Sequence, residues 1–193
     1  MRKNGKRAPR RIPSVLTEDE QARLLAQIDL EAPSGNRNLA LIRLMINTGL
    51  RAAEVRDLCR HHIDWKRGTM KIRGKGGRER VVWMGNGDLS RLKSLPSGAP
   101  SGNRPVFTSL DGQKPLCGRW LRKLVKRLAE LAGIDKRIHV HTLRHTFATN
   151  LLRQEKNLFT VMKAMGHTNL STTQIYLHLE DSELEAAMKR LGG

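Results

Sequence analysis

Cysteine is nearly missing from this chain: Cys59 and Cys117 are the only two in 193 residues. Two thiols without metal-ligand spacing argue against a disulfide framework and suit a reducing compartment. Long apolar runs are missing as well. No window approaches the ~18 apolar residues of a membrane span, and no apolar stretch follows the basic N-terminus as a secretory signal would require. Together these absences predict a soluble, cytoplasmic protein that does not enter a membrane. Aromatic residues are only 4% of the chain, so Leu, Ile, Val, Ala and Met must build the core. A chain of this length can bury enough of them to fold without a metal or disulfide staple.

Acids are the other scarcity. There are 18 Asp and Glu against 36 Lys and Arg, a net charge of +18 and a pI near 11.0. A charge this unbalanced repels itself until a polyanion neutralises it. Nucleic acid and an anionic membrane are the two candidates. The basic residues are spread over several elements and no apolar stretch accompanies them, which favours nucleic acid.

Read along the chain, the pattern predicts a mainly α fold with one small antiparallel β-sheet. Residues 1–13 form a basic arm with six Lys and Arg and no acid, suited either to phosphate or to plain solvation. Residues 14–193 form the folded domain. Thr17 and Glu20 make a capping box for a helix over 18–30. Residues 31–36 form a connection, and Leu39, Ile42, Met45 and Ile46 mark one face of a buried helix ending near Thr48-Gly49. Thr69–Arg73 and Glu79–Trp83 read as a hairpin around Gly74-Lys75-Gly76-Gly77. A short helix follows over 88–95, then a Pro/Gly/Ser loop and a short strand at Val106-Phe107.

Residues 117–131 form an amphipathic helix. Leu121, Leu124, Val125 and Leu128 line one side. Arg119, Arg122, Lys123, Lys126 and Arg127 line another, a cationic stripe unfavourable in isolation. A helix laid against DNA phosphates accounts for it better than a solvated face. Arg73, Arg78 and Arg80 on the hairpin are assigned to DNA in the same way. Three further helices are predicted at 141–153, 158–165 and 171–177, and a last one over 182–191.

The chemistry-bearing residues lie in the second half. Tyr176 is the only tyrosine, and His167 precedes it by nine residues in a Gly-His-Thr-Asn connection. His141, Arg144 and His145 fall at i, i+3 and i+4 on one helical face. Such a face is costly to bury without a partner, and phosphate is the natural one. Histidines at i and i+4 also fit a metal pair, but the intervening Thr-Leu-Arg lacks the glutamate of a zinc hydrolase helix and places a cation between them. No metal is therefore assigned. Taken singly, His141 reads as a satisfied core histidine and Lys75 as a plain turn residue.

Taken in order, Thr48-Gly49-Leu50-Arg51-Ala52-Ala53-Glu54, Gly74-Lys75-Gly76, His141-Thr142-Leu143-Arg144-His145, Gly166-His167 and Tyr176 resemble the tyrosine recombinase (lambda-integrase-like) family, in its Xer and phage-integrase style. The resemblance implies the catalytic domain of a site-specific DNA recombinase. It implies that Arg51 and Arg144 clamp the scissile phosphate. Tyr176, with an ordinary pKa of ~10, attacks phosphorus to form a 3′-phosphotyrosyl bond. His141 acts as base or orienting group, Lys75 protonates the leaving 5′-oxygen, and His167 hydrogen-bonds the phosphate. Glu54 anchors an arginine. No cofactor and no metal is implied, because arginines take the place of metal ions and the phosphotyrosyl bond conserves the energy of the cut strand. Partners implied are double-stranded DNA and further copies of the chain: monomer in solution, tetramer on paired sites.

The family ordinarily carries a helical DNA-binding domain before the catalytic one. Only residues 1–13 precede the domain here, so its absence is expected, with an excised domain, a natural single-domain protein and a truncated relic all open. Ala52-Ala53 stand where Ile-Ser is usual, and Met165 where Leu is usual. Two other readings stay open: a type IB topoisomerase-like relaxing enzyme, and a non-catalytic DNA-binding regulator.

Overall fold

The computed structural model describes residues 13–74, 77, 79–96, 103–112 and 114–166. Helix α1 (Glu18–Ala26) opens with the capping box expected of Thr17 and Glu20. The Thr17 hydroxyl accepts from the Glu20 amide (3.2 Å), and the Glu20 carboxylate accepts from the Thr17 amide (2.7 Å). Three acids in the first turn complement the helix dipole. The helix stops short of residue 30. The Asp29 side chain accepts from the Glu31 amide at 2.9 Å, a turn that competes with helix, and Leu30 is half exposed and gives the helix no core to follow.

Helix α2 (Gly35–Thr48) begins inside the expected connection. A Cβ at Gly35 would lie 2.1 Å from the Asp29 carbonyl oxygen, so only glycine admits this approach. Leu41, Ile42, Leu44 and Met45 on α2 are fully buried. The helix ends at Gly49 in the left-handed region, φ +63°. A short helix α3 (Ala52–Arg56), not anticipated from the sequence, and a 3-10 turn at Arg60–His62 lead into the sheet.

The sheet is antiparallel, in the order β1 (Ile63–Asp64), β2 (Thr69–Arg73), β3 (Glu79–Trp83). The β2–β3 pair runs in register from Thr69 opposite Trp83 to Arg73 opposite Glu79. Alternation sends Met70, Ile72 and Val82 into the core. Helices α4 (Asn86–Ser94), α5 (Gly118–Leu131), α6 (Val140–Glu155) and α7 (Leu158–Met165) follow. Val106-Phe107 is not a strand. The pair lies between isolated bridges, Cys59 with Pro105 and Thr108 with Pro115, and Phe107 serves as a buried core residue.

One core gathers side chains from α1, α2, the sheet, α4, α5 and the start of α6. A smaller cluster of Ala148, Leu152, Val161 and Met165 fixes α7 on α6. Among the described residues no helix is long and apolar enough to cross a membrane. The basic arm and the helices expected over 171–177 and 182–191 lie outside the described residues, apart from Pro13.

Candidate active site

Arg51 follows the Gly49-Leu50 corner and serves as the N-cap of α3. Glu54, at the third helical position, accepts from the Arg51 backbone N–H (2.8 Å) and from the Arg51 guanidinium (2.8 Å). The local sequence thus folds a cation back on its own helix start, with the carboxylate at the favourable end of the helix. The Arg51 side chain stays 36% exposed, whereas the Glu54 side chain is 4% exposed.

A second arginine reaches the same carboxylate from the sheet. Arg80 on β3 donates both terminal nitrogens to Glu54, at 2.7 and 2.9 Å, in a two-pronged fork. Burial alone would raise the Glu54 pKa. The Arg80 and Arg51 hydrogen bonds and the Arg80 charge outweigh it and hold the carboxyl down at about 2, against an ordinary 4.5. Arg80 therefore differs from the open DNA contact expected of it. Its side chain is only 14% exposed because, on a strand of period two, it shares the inward face of Val82. Arg73, at the end of β2, is exposed.

Arg144 lies on α6 and is 5% exposed. One terminal nitrogen donates to the Gly49 carbonyl, and the other to the Met165 carbonyl at 2.6 Å. The guanidinium thereby joins the end of α2, two residues before Arg51, to the end of α7. Carbonyl acceptors carry only partial charge, and the two of them fix the direction of the fork. Gly49 and Gly166 terminate α2 and α7 in left-handed conformations, φ +63° and +62°, which turn the chain out of both helices beside this arginine.

His141 stands in the first turn of α6 and is exposed. His145, one turn on, is partly buried. Burial first, then the nearby His141 and Arg144, lower its pKa from the ordinary 6.5. Lys75, Arg78, His167 and Tyr176 lie outside the described residues. Among the described residues no group of three or more His, Cys, Asp or Glu side chains could hold a metal ion.

Arg119, Arg122, Lys123, Lys126 and Arg127 are exposed along α5 while Leu121, Val125 and Leu128 are buried, the division expected. One acid does interrupt the stripe: Glu130 pairs with Lys126 at 3.4 Å, both side chains well exposed. Gly49, Met165 and Gly166 are motif or helix-end residues in the sequence, but their contacts are not legible there: the Gly49 and Met165 carbonyls accept from Arg144, and Gly166 packs on Arg80.

Solved structures resemble this fold. XerA recombinase superposes with a TM-score of 0.78 at 30% identity, over 96% of this chain and 66% of that one. XerH site-specific recombinase, bound to palindromic difH substrate in a post-cleavage complex, gives 0.81 at 30% identity, over 95% and 54%. The catalytic domain of bacteriophage HP1 integrase shares the fold alone, at 22% identity and a TM-score of 0.67, over 92% of this chain and 94% of that one. The fold is that of a tyrosine recombinase catalytic domain. Tyrosine recombinase XerC of Xylella fastidiosa (strain M23) is 37% identical over 180 residues, 91% of this chain and 60% of that protein. Tyrosine recombinase XerD of Xanthomonas axonopodis pv. citri (strain 306) is 36% identical over 181 residues, 87% of this chain and 59% of that protein. Residues 14–183 match the phage integrase family, and the chain belongs to that family. It spans about 60% of the length of the curated relatives it matches.

Proposed function

We propose that this chain is the catalytic part of a site-specific DNA recombinase, which cuts and rejoins DNA strands through a 3′-phosphotyrosyl intermediate. The observation that carries the reading is the Arg144 bridge. A buried guanidinium ties the backbone beside Arg51 to the end of α7, so the two arginine-bearing segments that a phosphate clamp would use are joined.

In this reading the Tyr176 oxygen attacks phosphorus as the bond to the 5′-oxygen breaks. Lys75 gives that oxygen its proton, and His141 takes or orients the tyrosine proton. Arg51 and Arg144 stabilise the charge that grows on the phosphoryl oxygens, and His167 adds a hydrogen bond. The released 5′-hydroxyl, or that of another strand, reverses the step without a nucleotide cofactor. DNA lies along the exposed cations of α5 and the hairpin. The chain is a monomer in solution and a tetramer on two paired sites. Residues 1–13 act as a basic arm and 14–193 as the catalytic unit.

The test is a nicked suicide-substrate assay without metal, on a random-sequence duplex pool, comparing the wild-type chain with Tyr176→Phe on a denaturing gel. A slow-migrating protein–DNA band in wild type alone is expected. A band that persists in Tyr176→Phe, or no band despite measurable binding, overturns the assignment.

A further inference from the structure

Among the described residues the hairpin carries three cations, Lys71, Arg73 and Arg80, and Arg80 behaves unlike the other two. Lys71 and Arg73 are exposed on the outer face of β2. Arg80 turns inward and spends both terminal nitrogens on a carboxylate that Arg51 also uses. A cleft of about 480 Å³, lined by Glu54, Asp57, Lys71, Arg73 and Gly77, opens between α3 and the hairpin. The Glu54–Arg80 fork therefore bridges two elements that are otherwise parted there.

The other side of Arg80 meets α7. A Cβ at Gly166 would lie 2.8 Å from Arg80 Cδ and 3.2 Å from its Nε. The stem of the side chain thus lies against the glycine that ends α7, and His167 is the next residue. One arginine touches the start of α3, the end of α7 and its own hairpin strand.

We infer that Arg80 is a positioning residue. It ties the hairpin that supplies Lys75 to the turn that supplies Arg51, and so sets the leaving-group acid against the phosphate-binding arginine. The inference rests on the recombinase reading above, from which the roles of Lys75 and Arg51 come. A lysine cannot substitute: an ammonium is a point charge and cannot hold both carboxylate oxygens in a fixed plane. Losing the fork leaves charge and surface nearly unchanged but lets the hairpin shift. A shift of ~1 Å in a group that must meet a reacting atom costs up to ~100-fold in rate.

The experiment uses the full chain and the duplex that wild type cleaves best from the random pool, made with either an ordinary or a sulfur-substituted 5′ leaving group. A sulfur leaving group needs no proton, so a defect in acid placement disappears with it. Arg80→Met is expected to bind the duplex as wild type does and to cleave the ordinary substrate roughly 10–100-fold more slowly. Most of that loss should be recovered on the sulfur substrate, as for Lys75→Ala. Arg80→Lys keeps the charge and should show the same leaving-group-dependent defect in milder form. It decides the matter if Arg80→Met does not fold.

Equal slowing on both substrates would overturn the inference, since the acid would then be in place. So would a cleavage loss fully accounted for by weaker binding, which would make Arg80 a DNA contact, or an Arg80→Lys variant active as wild type on both. Wild-type protein that binds the duplex yet forms no covalent product on either substrate would instead overturn the recombinase reading itself, before any variant is compared.

Discussion

Arg144 and Gly49 are 95 positions apart in sequence and meet through a hydrogen bond from the arginine guanidinium to the glycine carbonyl. The same guanidinium reaches the Met165 carbonyl at 2.6 Å. A guanidinium that is 5% exposed is costly to bury unless its N–H groups are met. Here two of the partners are carbonyls at helix ends, which have no acceptor role within their own helices. The result is a fixed reference between α6, the loop before Arg51 and the end of α7.

That reference depends on Gly49. At φ +63° an L side chain is strained, and a Cβ there would lie 2.3 Å from Phe147 Cδ1. Gly49→Ala should destabilise the fold by about 1–3 kcal/mol from backbone strain, with more added by displacement of Phe147. Urea unfolding at neutral pH measures this. An unchanged midpoint would mean that the loop before Arg51 tolerates another conformation, and cleavage should then fall without any loss of stability.

Glu54 gives a prediction with a pH sign. Its folded pKa of about 2 lies below the ordinary 4.5, so the folded state favours the charged form. Its contribution is complete above pH 4.5 and drains away as the pH falls towards 2. Glu54→Gln leaves Arg80 and Arg51 without their counter-charge. It should cost on the order of 3 kcal/mol at neutral pH, as removal of one partner from a buried pair does. The difference between wild type and variant should shrink through the same acid window. Denaturant midpoints across that range test it, and a difference independent of pH would show that Glu54 acts by shape rather than charge.

The parts of the fold legible in the sequence were those with a complete local signal. Thr69–Arg73 and Glu79–Trp83 alternate around a glycine-rich turn, and Leu158–Met165 is an apolar run between an Asn cap and a glycine. Helix α3 went unread because five residues span little more than one turn and show no periodicity. Arg51, His141 and Arg144 were visible as motif residues. The burial of Arg144 was not, because its acceptors are backbone carbonyls distant in sequence. The charge of Arg80 suggests DNA, and its burial on Glu54 is what charge alone does not show. The alternation of its own strand, which places it on the face of inward Val82, is the signal for that burial.

The cationic face of α5 is tested by salt. Arg122 and Arg127 are exposed on that face, while Lys126 has Glu130 at 3.4 Å in an exposed pair of the kind worth little. If DNA lies there, Arg122→Ala or Arg127→Ala should weaken binding uniformly across sequences. Each should lower the slope of log affinity against log salt by about one. Titrations from ~50 to ~200 mM salt read the slope directly. A variant with weaker binding and an unreduced slope would have lost something other than a phosphate contact.

His145 supplies the last prediction, and its sign is opposite in effect to a histidine held by an acid. Burial, then His141 and Arg144, push its pKa below 6.5, so the folded chain resists protonating it. Its stabilisation is present above pH 6.5 and is lost as the pH falls below that value towards the lowered folded pKa. His62 is shifted the same way, by burial and then His61, against an opposing pull from Glu79, so wild type alone cannot separate the two. His145→Gln and His62→Gln should each flatten part of the loss seen between neutral and mildly acid pH, measured by thermal or denaturant unfolding. If a DNA phosphate lies beside this face of α6, it reverses the balance at His145, because an anion beside the ring favours the imidazolium. Duplex DNA should therefore protect wild type more at mildly acid pH than at neutral pH, and this extra protection should be smaller in His145→Gln. If both variants keep the full wild-type slope, the acid sensitivity belongs to other groups, and the face of α6 beside Arg144 is open enough to water to leave His145 unshifted.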